Sequence, residues 1–324
     1  MRMLEAEDHA DIYIPHSFGE HLVDVGEVRL NYATAGDASL PAMLLIPAQS
    51  ESWWGYERVM PMLAEHFQVF AVDLRGQGRS TWTPGRYTLD TFGNDLVRFI
   101  DLVIGRPTIV SGLSSGGTIS AWLAAFAKPG QVRAAIWEDP PFYASEGNPA
   151  VGQSIRQGIG PLFALWNKYL GDQWSIGDWD GLQPAIPRTL PLWMLKGIGA
   201  MFPPIEGAPT EGIPQNLKEY DPEWGRAFAS GIATASCDHD NMIASVKVPV
   251  LFTQHFYSVD ESTGNLVGAL SDLQANRVKQ LVVEAGQDLT FHAFPEMPHA
   301  MHLYEPKLFT DTVTEWASGL DPAS

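Results

Sequence analysis

Thr108-Ile109-Val110-Ser111-Gly112-Leu113-Ser114-Ser115-Gly116-Gly117-Thr118 passes from an apolar run, through a turn of small residues, into an apolar segment read as a helix from Thr118. Strand, sharp Gly-x-Ser-x-Gly turn and helix together make a setting in which a serine becomes a nucleophile. The glycines let the backbone tighten enough to hold the Ser114 hydroxyl in the open. The helix N-terminus behind it carries partial positive charge toward whatever reacts there. With 30 glycines in 324 residues, the turn alone does not decide the matter. The order of elements around it does.

Upstream, residues 21–25 and 28–32 read as a hairpin about Gly26, and 43–46 and 69–73 as buried strands. Val59, Met60 and Leu63 at helical spacing predict a crossover helix between them. Phe92, Leu96, Phe99, Ile100 and Val103 mark one face of a helix before the 108–110 strand. Downstream, 132–137 is a strand, and the rhythm resumes with strands at 248–256 and 289–294 and helices at 269–283 and through Leu308, Phe309, Val313 and Trp316. Strict alternation of strand and helix predicts an α/β architecture, a mostly parallel sheet flanked by helices. Reactive groups in such a sheet belong at the carboxyl ends of the strands.

Residues 143–247 break the alternation with clustered Pro and Gly and the aromatics Trp166, Trp174, Trp179, Trp193, Phe202, Trp224 and Phe228. They are expected to form an inserted, mainly helical cap, so that 1–142 and 248–324 are two parts of one core. Most of these aromatics would be the cap's own core, and the rest an apolar roof over a pocket.

The formal net charge of −18 repels phosphate backbones and gives no basic surface for anionic lipid. Nucleic acid and membrane are therefore not expected partners. Only Cys237 is present, so no internal disulfide forms and cysteine-based zinc spacings are absent. The N-terminal stretch is acidic with no apolar signal region, and a cytoplasmic location is expected. The acidic surface does not by itself exclude a homodimer.

A serine hydroxyl needs a base, and the base needs a carboxylate to fix its tautomer. Among nine histidines, His299 in Pro295-Glu296-Met297-Pro298-His299 follows the last strand, and is preferred over His302, three residues on. His299, His302 and His292 lack the further ligands a metal would need, so no metal and no cofactor is expected. For the acid, Glu138 and Asp139 end the strand after the nucleophile helix, and Asp260 follows the next strand, the commoner location. The main-chain N–H groups of Gln49, after the third strand, and of Ser115 are the expected oxyanion donors.

With the serine turn, Asp73-Leu74-Arg75-Gly76-Gln77-Gly78-Arg79-Ser80 and His299 ahead of Pro306, the chain resembles the α/β-hydrolase superfamily over nearly its whole length. Gly-x-Ser-Ser-Gly, a Glu on the following strand and His in a Met-Pro-His loop resemble the zearalenone lactone hydrolases within it. In that group the acid is a Glu 24 residues after the serine, the spacing of Glu138 from Ser114. The resemblance implies a Ser114-His299-Glu138 triad, with Asp260 the alternative acid, opening an apolar ester such as a macrolactone through an acyl-enzyme. It departs from many relatives in carrying Pro47-Ala48-Gln49 where they carry His-Gly. The rivals are a C–C hydrolase, thioesterase or general carboxylesterase on the same scaffold and, in a different class, a capped sensor of an apolar ligand. Ser114 argues against haloalkane dehalogenase and epoxide hydrolase chemistry, which place Asp at this turn.

Overall fold

Wholly apolar runs need cover on both faces, and in the computed structural model, which describes residues 3–205 and 212–321, they form the middle of one sheet. Its strands are β1 (Glu20–Asp24), β2 (Arg29–Ala35), β3 (Ala42–Ile46), β4 (Gln68–Val72), β5 (Thr108–Leu113), β6 (Val132–Glu138) and β7 (Val250–Gln254). After a separate ribbon, β8 (Ser258–Val259) and β9 (Leu266–Val267), comes the edge strand β10 (Leu289–Ala293). The order is β1-β2-β4-β3-β5-β6-β7-β10, antiparallel at β1/β2 and β2/β4 and parallel elsewhere.

The helices are α1 (Met60–Leu63), α2 (Leu89–Phe99), α3 (Ser115–Phe126), α4 (Gly160–Leu170), α5 (Trp179–Thr189), α6 (Leu192–Met201), α7 (Gln215–Lys218), α8 (Pro222–Ala229), α9 (His239–Ala244), α10 (Asp272–Glu284), α11 (Met301–Tyr304) and α12 (Pro306–Ser318). Side chains alternate across the central strands. Leu44, Ile46 and Val110 pack with Phe92, Leu96 and Ile119 of α2 and α3, while Met43, Leu45 and Ile109 pack with Met60, Leu63, Phe309 and Val313 on the other face. Between β6 and β7 the described residues hold helices and turns and no strand of the sheet.

The strand positions agree with the sequence reading. The helices differ from it at several ends: α10 starts three residues later than expected, and α2 gives way to a π turn at Ile100–Ile104. The crossover helix is the single turn α1, preceded by a 3₁₀ turn at Trp53–Tyr56. Helix α3 begins at Ser115, three residues early, because the helix starts directly at the serine turn.

The turn after β4 is fastened to α2 by a buried ion pair. Arg75 Nε donates to Asp95 Oδ2 at 2.6 Å and Arg75 Nη2 to Asp95 Oδ1 at 2.8 Å, a fork on a carboxylate. Truncating Asp95 leaves the buried guanidinium with Glu27, at 3.1 Å, as its remaining ionic partner. Asp95→Ala is therefore expected to lower stability by about 3–5 kcal/mol in thermal or denaturant unfolding. A loss below about 1 kcal/mol would mean that solvent reaches the guanidinium.

Candidate active site

Ser114 sits where β5 turns into α3, with φ 54° and ψ −121°. An L-residue rarely holds a positive φ, and the surroundings must enforce it. They do so by close packing. A Cβ on Gly112 would lie 2.1 Å from the Gly116 carbonyl oxygen, and one on Gly116 would lie 2.2 Å from that of Ile46. Both glycines are thus required for β5, α3 and the end of β3 to meet. Gly116→Ala is expected to prevent this approach and yield little folded protein, read as loss of soluble material and of a cooperative melt. A well-folded, active Gly116→Ala would mean that the elbow relaxes at little cost.

Among the described residues, the non-glycine residues with positive φ are Ser50, Ser114, Asp139 and Tyr143, lying after the ends of β3, β5 and β6. Backbone strain therefore collects along one edge of the sheet, the edge at which α/β proteins place their chemistry. Ser114 N–H donates to the Glu138 carbonyl at 2.8 Å, so the serine turn and the β6 terminus are direct neighbours.

Two histidine–carboxylate pairs converge on that terminus. His299 Nδ1 lies 2.6 Å from Asp139 Oδ2, and His302 Nδ1 lies 2.8 Å from Glu138 Oε2. Glu138 Oε1 also accepts the His302 main-chain N–H at 3.0 Å. The expectation that Glu138 orients His299 is thus corrected: Glu138 serves His302, and Asp139 serves His299. Glu138 is the last residue of β6 and Asp139 lies past it with φ 42°, so the two adjacent carboxylates meet different rings.

Surroundings separate the two imidazoles. The His302 ring is stacked on Tyr56 and meets Phe309 edge-on, within the layer formed by α1 and α12, and its Nε2 is buried without a hydrogen-bond partner among the described residues. His299 lies beneath the 143–247 segment: its N–H donates to the Met201 carbonyl at 3.0 Å and its ring meets Phe202 edge-on. Of the two, His299 faces the side from which a substrate could arrive. Among the described residues it is not hydrogen-bonded to Ser114 Oγ in this state. Such contacts often tighten only when substrate binds.

Asp260, the alternative acid, is elsewhere. Its Oδ1 accepts from Ser262 and Thr263 in its own turn beside the β8/β9 ribbon. Sequence reasoning missed His255. Its N–H donates to Asp139 Oδ1 at 3.0 Å, and its Nδ1 lies 2.9 Å from the His299 carbonyl oxygen, so it braces both members of the pair. Only its place just past the end of β7 pointed that way.

Gly116 lies so close to Ile46 and Pro47 that the loop after β3 runs beside the first turn of α3. The Gln49 N–H has no acceptor among the described residues, and Ser115 opens α3, where main-chain N–H groups have no partner within the helix. Both residues line one pocket. Its walls are Leu89 and Phe92 from α2, Thr118 and Ile119 from α3, and Trp224 and Phe228 from α8.

Residues 41–168 match a family model described as alpha/beta hydrolase fold. The crystal structure of the enol-lactonase from Burkholderia xenovorans LB400 superposes with a TM-score of 0.63 at 17% identity, covering 92% of this chain and 100% of that one. The chain has the α/β-hydrolase fold. Among curated relatives, bifunctional epoxide hydrolase 2 of Sus scrofa is 33% identical over 150 residues, 45% of this chain and 26% of that protein. The 3-oxoadipate enol-lactonase 2 of Acinetobacter baylyi is 30% identical over 98 residues, 30% of this chain and 37% of that protein. These alignments span well under two thirds of either relative.

Within this α/β-hydrolase fold, burial acts on His299 to disfavour its charged form. The hydrogen bond and charge of Asp139, with Glu51 and Glu138 nearby, outweigh it and raise the pKa above the ordinary 6.5. Burial pushes the neighbouring Glu51 carboxyl up. On Glu138 burial also acts upward, but the His302 charge and hydrogen bonds prevail and hold it below the usual carboxylate value. The free space of the pocket in this state is about 20 Å³, room for about one water. Of the 143–247 aromatics, Trp174, Trp224 and Phe228 are buried, Trp166, Trp179 and Trp193 partly so, and Phe202 is exposed. Among the described residues there is no group of three or more side chains suited to a metal ion, and no helix long and apolar enough to cross a membrane.

Proposed function

We propose that this chain is a serine hydrolase of carboxylic esters that works through an acyl-enzyme, with Ser114 as nucleophile, His299 as general base and Asp139 as the carboxylate that orients it. The observation that carries the reading is the 2.6 Å contact of His299 Nδ1 with Asp139 Oδ2 at a strand end whose neighbour is the serine turn. The contact fixes the proton on Nδ1 and leaves Nε2 as the base.

Ser114 Oγ attacks the ester carbonyl as His299 Nε2 takes its proton, and the N–H groups of Gln49 and Ser115 stabilise the oxyanion. The C–O bond then breaks and the imidazolium returns the proton to the leaving alkoxide. In a lactone that alcohol stays tethered. Water, deprotonated by His299, attacks the acyl carbonyl, and the serine leaves with the proton.

An apolar lactone is the favoured substrate class, and a macrolactone such as zearalenone its specific form. Its supports are the Gly-x-Ser-Ser-Gly turn, the apolar pocket walls and the partial likeness to an enol-lactonase. The Glu spacing no longer belongs among them, because Glu138 faces His302. Ser114 at the elbow favours ester cleavage over the epoxide chemistry named in another relative. The test is incubation with zearalenone, simple lactones and p-nitrophenyl esters, with mass spectrometry expected to show addition of one water. If no member of the panel gains a water, ester hydrolysis is the wrong reaction.

A further inference from the structure

The pocket beside the serine turn is lined by both apolar and polar residues. Gln49, Ser115 and Thr118 line it, each more than nine-tenths buried, with exposures of 8%, 7% and 1%. Gln49 Oε1, Ser115 Oγ and Thr118 Oγ1 have no hydrogen-bond partner among the described residues. Two other polar residues of the same lining are satisfied: Ser145 Oγ donates to the Pro141 carbonyl at 2.9 Å and Thr234 Oγ1 to the Ser145 carbonyl at 3.0 Å. Ser115 and Thr118 stand three residues apart on α3, so the unmet atoms belong to one helix face and to Gln49, which lines the same pocket. Leaving a buried polar atom unpaired is costly, so three in the lining of one pocket mark a place for a group that satisfies them.

We propose that this lining receives a neutral hydroxyl on the acyl part of the substrate, within a few atoms of the scissile carbonyl. This rests on the ester-hydrolase reading and names its substrate class. A hydroxyl both donates and accepts, which matches one amide oxygen and two rotatable hydroxyls. Should the Gln49 amide lie the other way round, its N–H₂ still finds an acceptor in the same group. A carboxylate or phosphate is a poorer match, because no cationic side chain lines the pocket. Position near the carbonyl follows from Gln49 and Ser115, whose main-chain N–H groups are the oxyanion donors of the proposed mechanism.

The test compares p-nitrophenyl β-hydroxybutyrate with p-nitrophenyl isovalerate, which carries a methyl group where the first has its hydroxyl. The hydroxylated ester is expected to show roughly tenfold higher kcat/KM. Thr118→Val should remove most of that preference, Thr118→Ser should keep it, and both variants should still turn over the isovalerate. Equal kcat/KM for the two esters in the unaltered protein overturns the proposal. To separate its failure from that of ester hydrolysis itself, the p-nitroanilides of the same two acids are titrated calorimetrically into Ser114→Ala. Tighter binding of the hydroxylated anilide, lost in Ser114→Ala/Thr118→Val, supports the hydroxyl site even if no ester is cleaved. Equal binding, or none, overturns it.

Discussion

Ser114→Ala is expected to lower kcat on a p-nitrophenyl ester by about 10⁵- to 10⁶-fold and to abolish the initial burst of p-nitrophenol. The size of the effect follows from the division of labour at the site. Without Oγ no acyl-enzyme forms, and what survives is water attack assisted by the two oxyanion N–H groups and by binding. Little stability should be lost, since alanine inherits the same φ of 54° and the side chain shrinks by one oxygen. Stopped-flow absorbance, with a melting curve as control, measures both. A folded Ser114→Ala that retains more than about a hundredth of the activity would remove the serine from the mechanism, leaving the fold as the only secure result.

The second large effect separates two neighbouring carboxylates. Asp139→Asn is expected to cost about 10⁴ in kcat, because an amide no longer holds His299 in the tautomer that exposes Nε2 as a base. Glu138→Gln should change kcat by less than about tenfold, its carboxylate being spent on His302 in the core layer. The reverse ranking would restore Glu138 as the orienting acid. A pH profile adds an independent readout. His299 must be neutral to act, and its pKa is raised above 6.5, so the acid limb of kcat/KM should fall above 6.5. In Asp139→Asn the partner that raises it is gone, so burial prevails and the limb should move to lower pH. The same raised pKa makes His299 a stabilising group whose contribution is complete below its unfolded value and fades as pH rises through its folded one.

Much of the architecture was legible because it rests on simple periodicities. Residues 43–46 and 108–110 are apolar without interruption, which only a doubly covered strand tolerates. Ser114 was legible because its glycines answer a local need, the approach of backbone to backbone within 2.2 Å of a would-be Cβ. The acid was not. Glu138 and Asp139 are adjacent and chemically alike, and which of them meets His299 depends on the side from which the 295–302 loop arrives and on the positive φ of Asp139. No spacing rule carries that information. His255 escaped for a similar reason, since it works by gripping main-chain carbonyls of a loop more than 40 residues away. The helices of the 143–247 segment were foreseen only as a class, because their Pro- and Gly-rich sequence obscures each boundary.

The hydrogen bond from the His299 amide to Met201, at the end of α6, ties the proposed general base to the 143–247 segment. Any excursion that lifts that helix to admit a guest or discharge a product also tugs on the imidazole's own backbone. The position of the imidazole and the seating of that helix are then coupled.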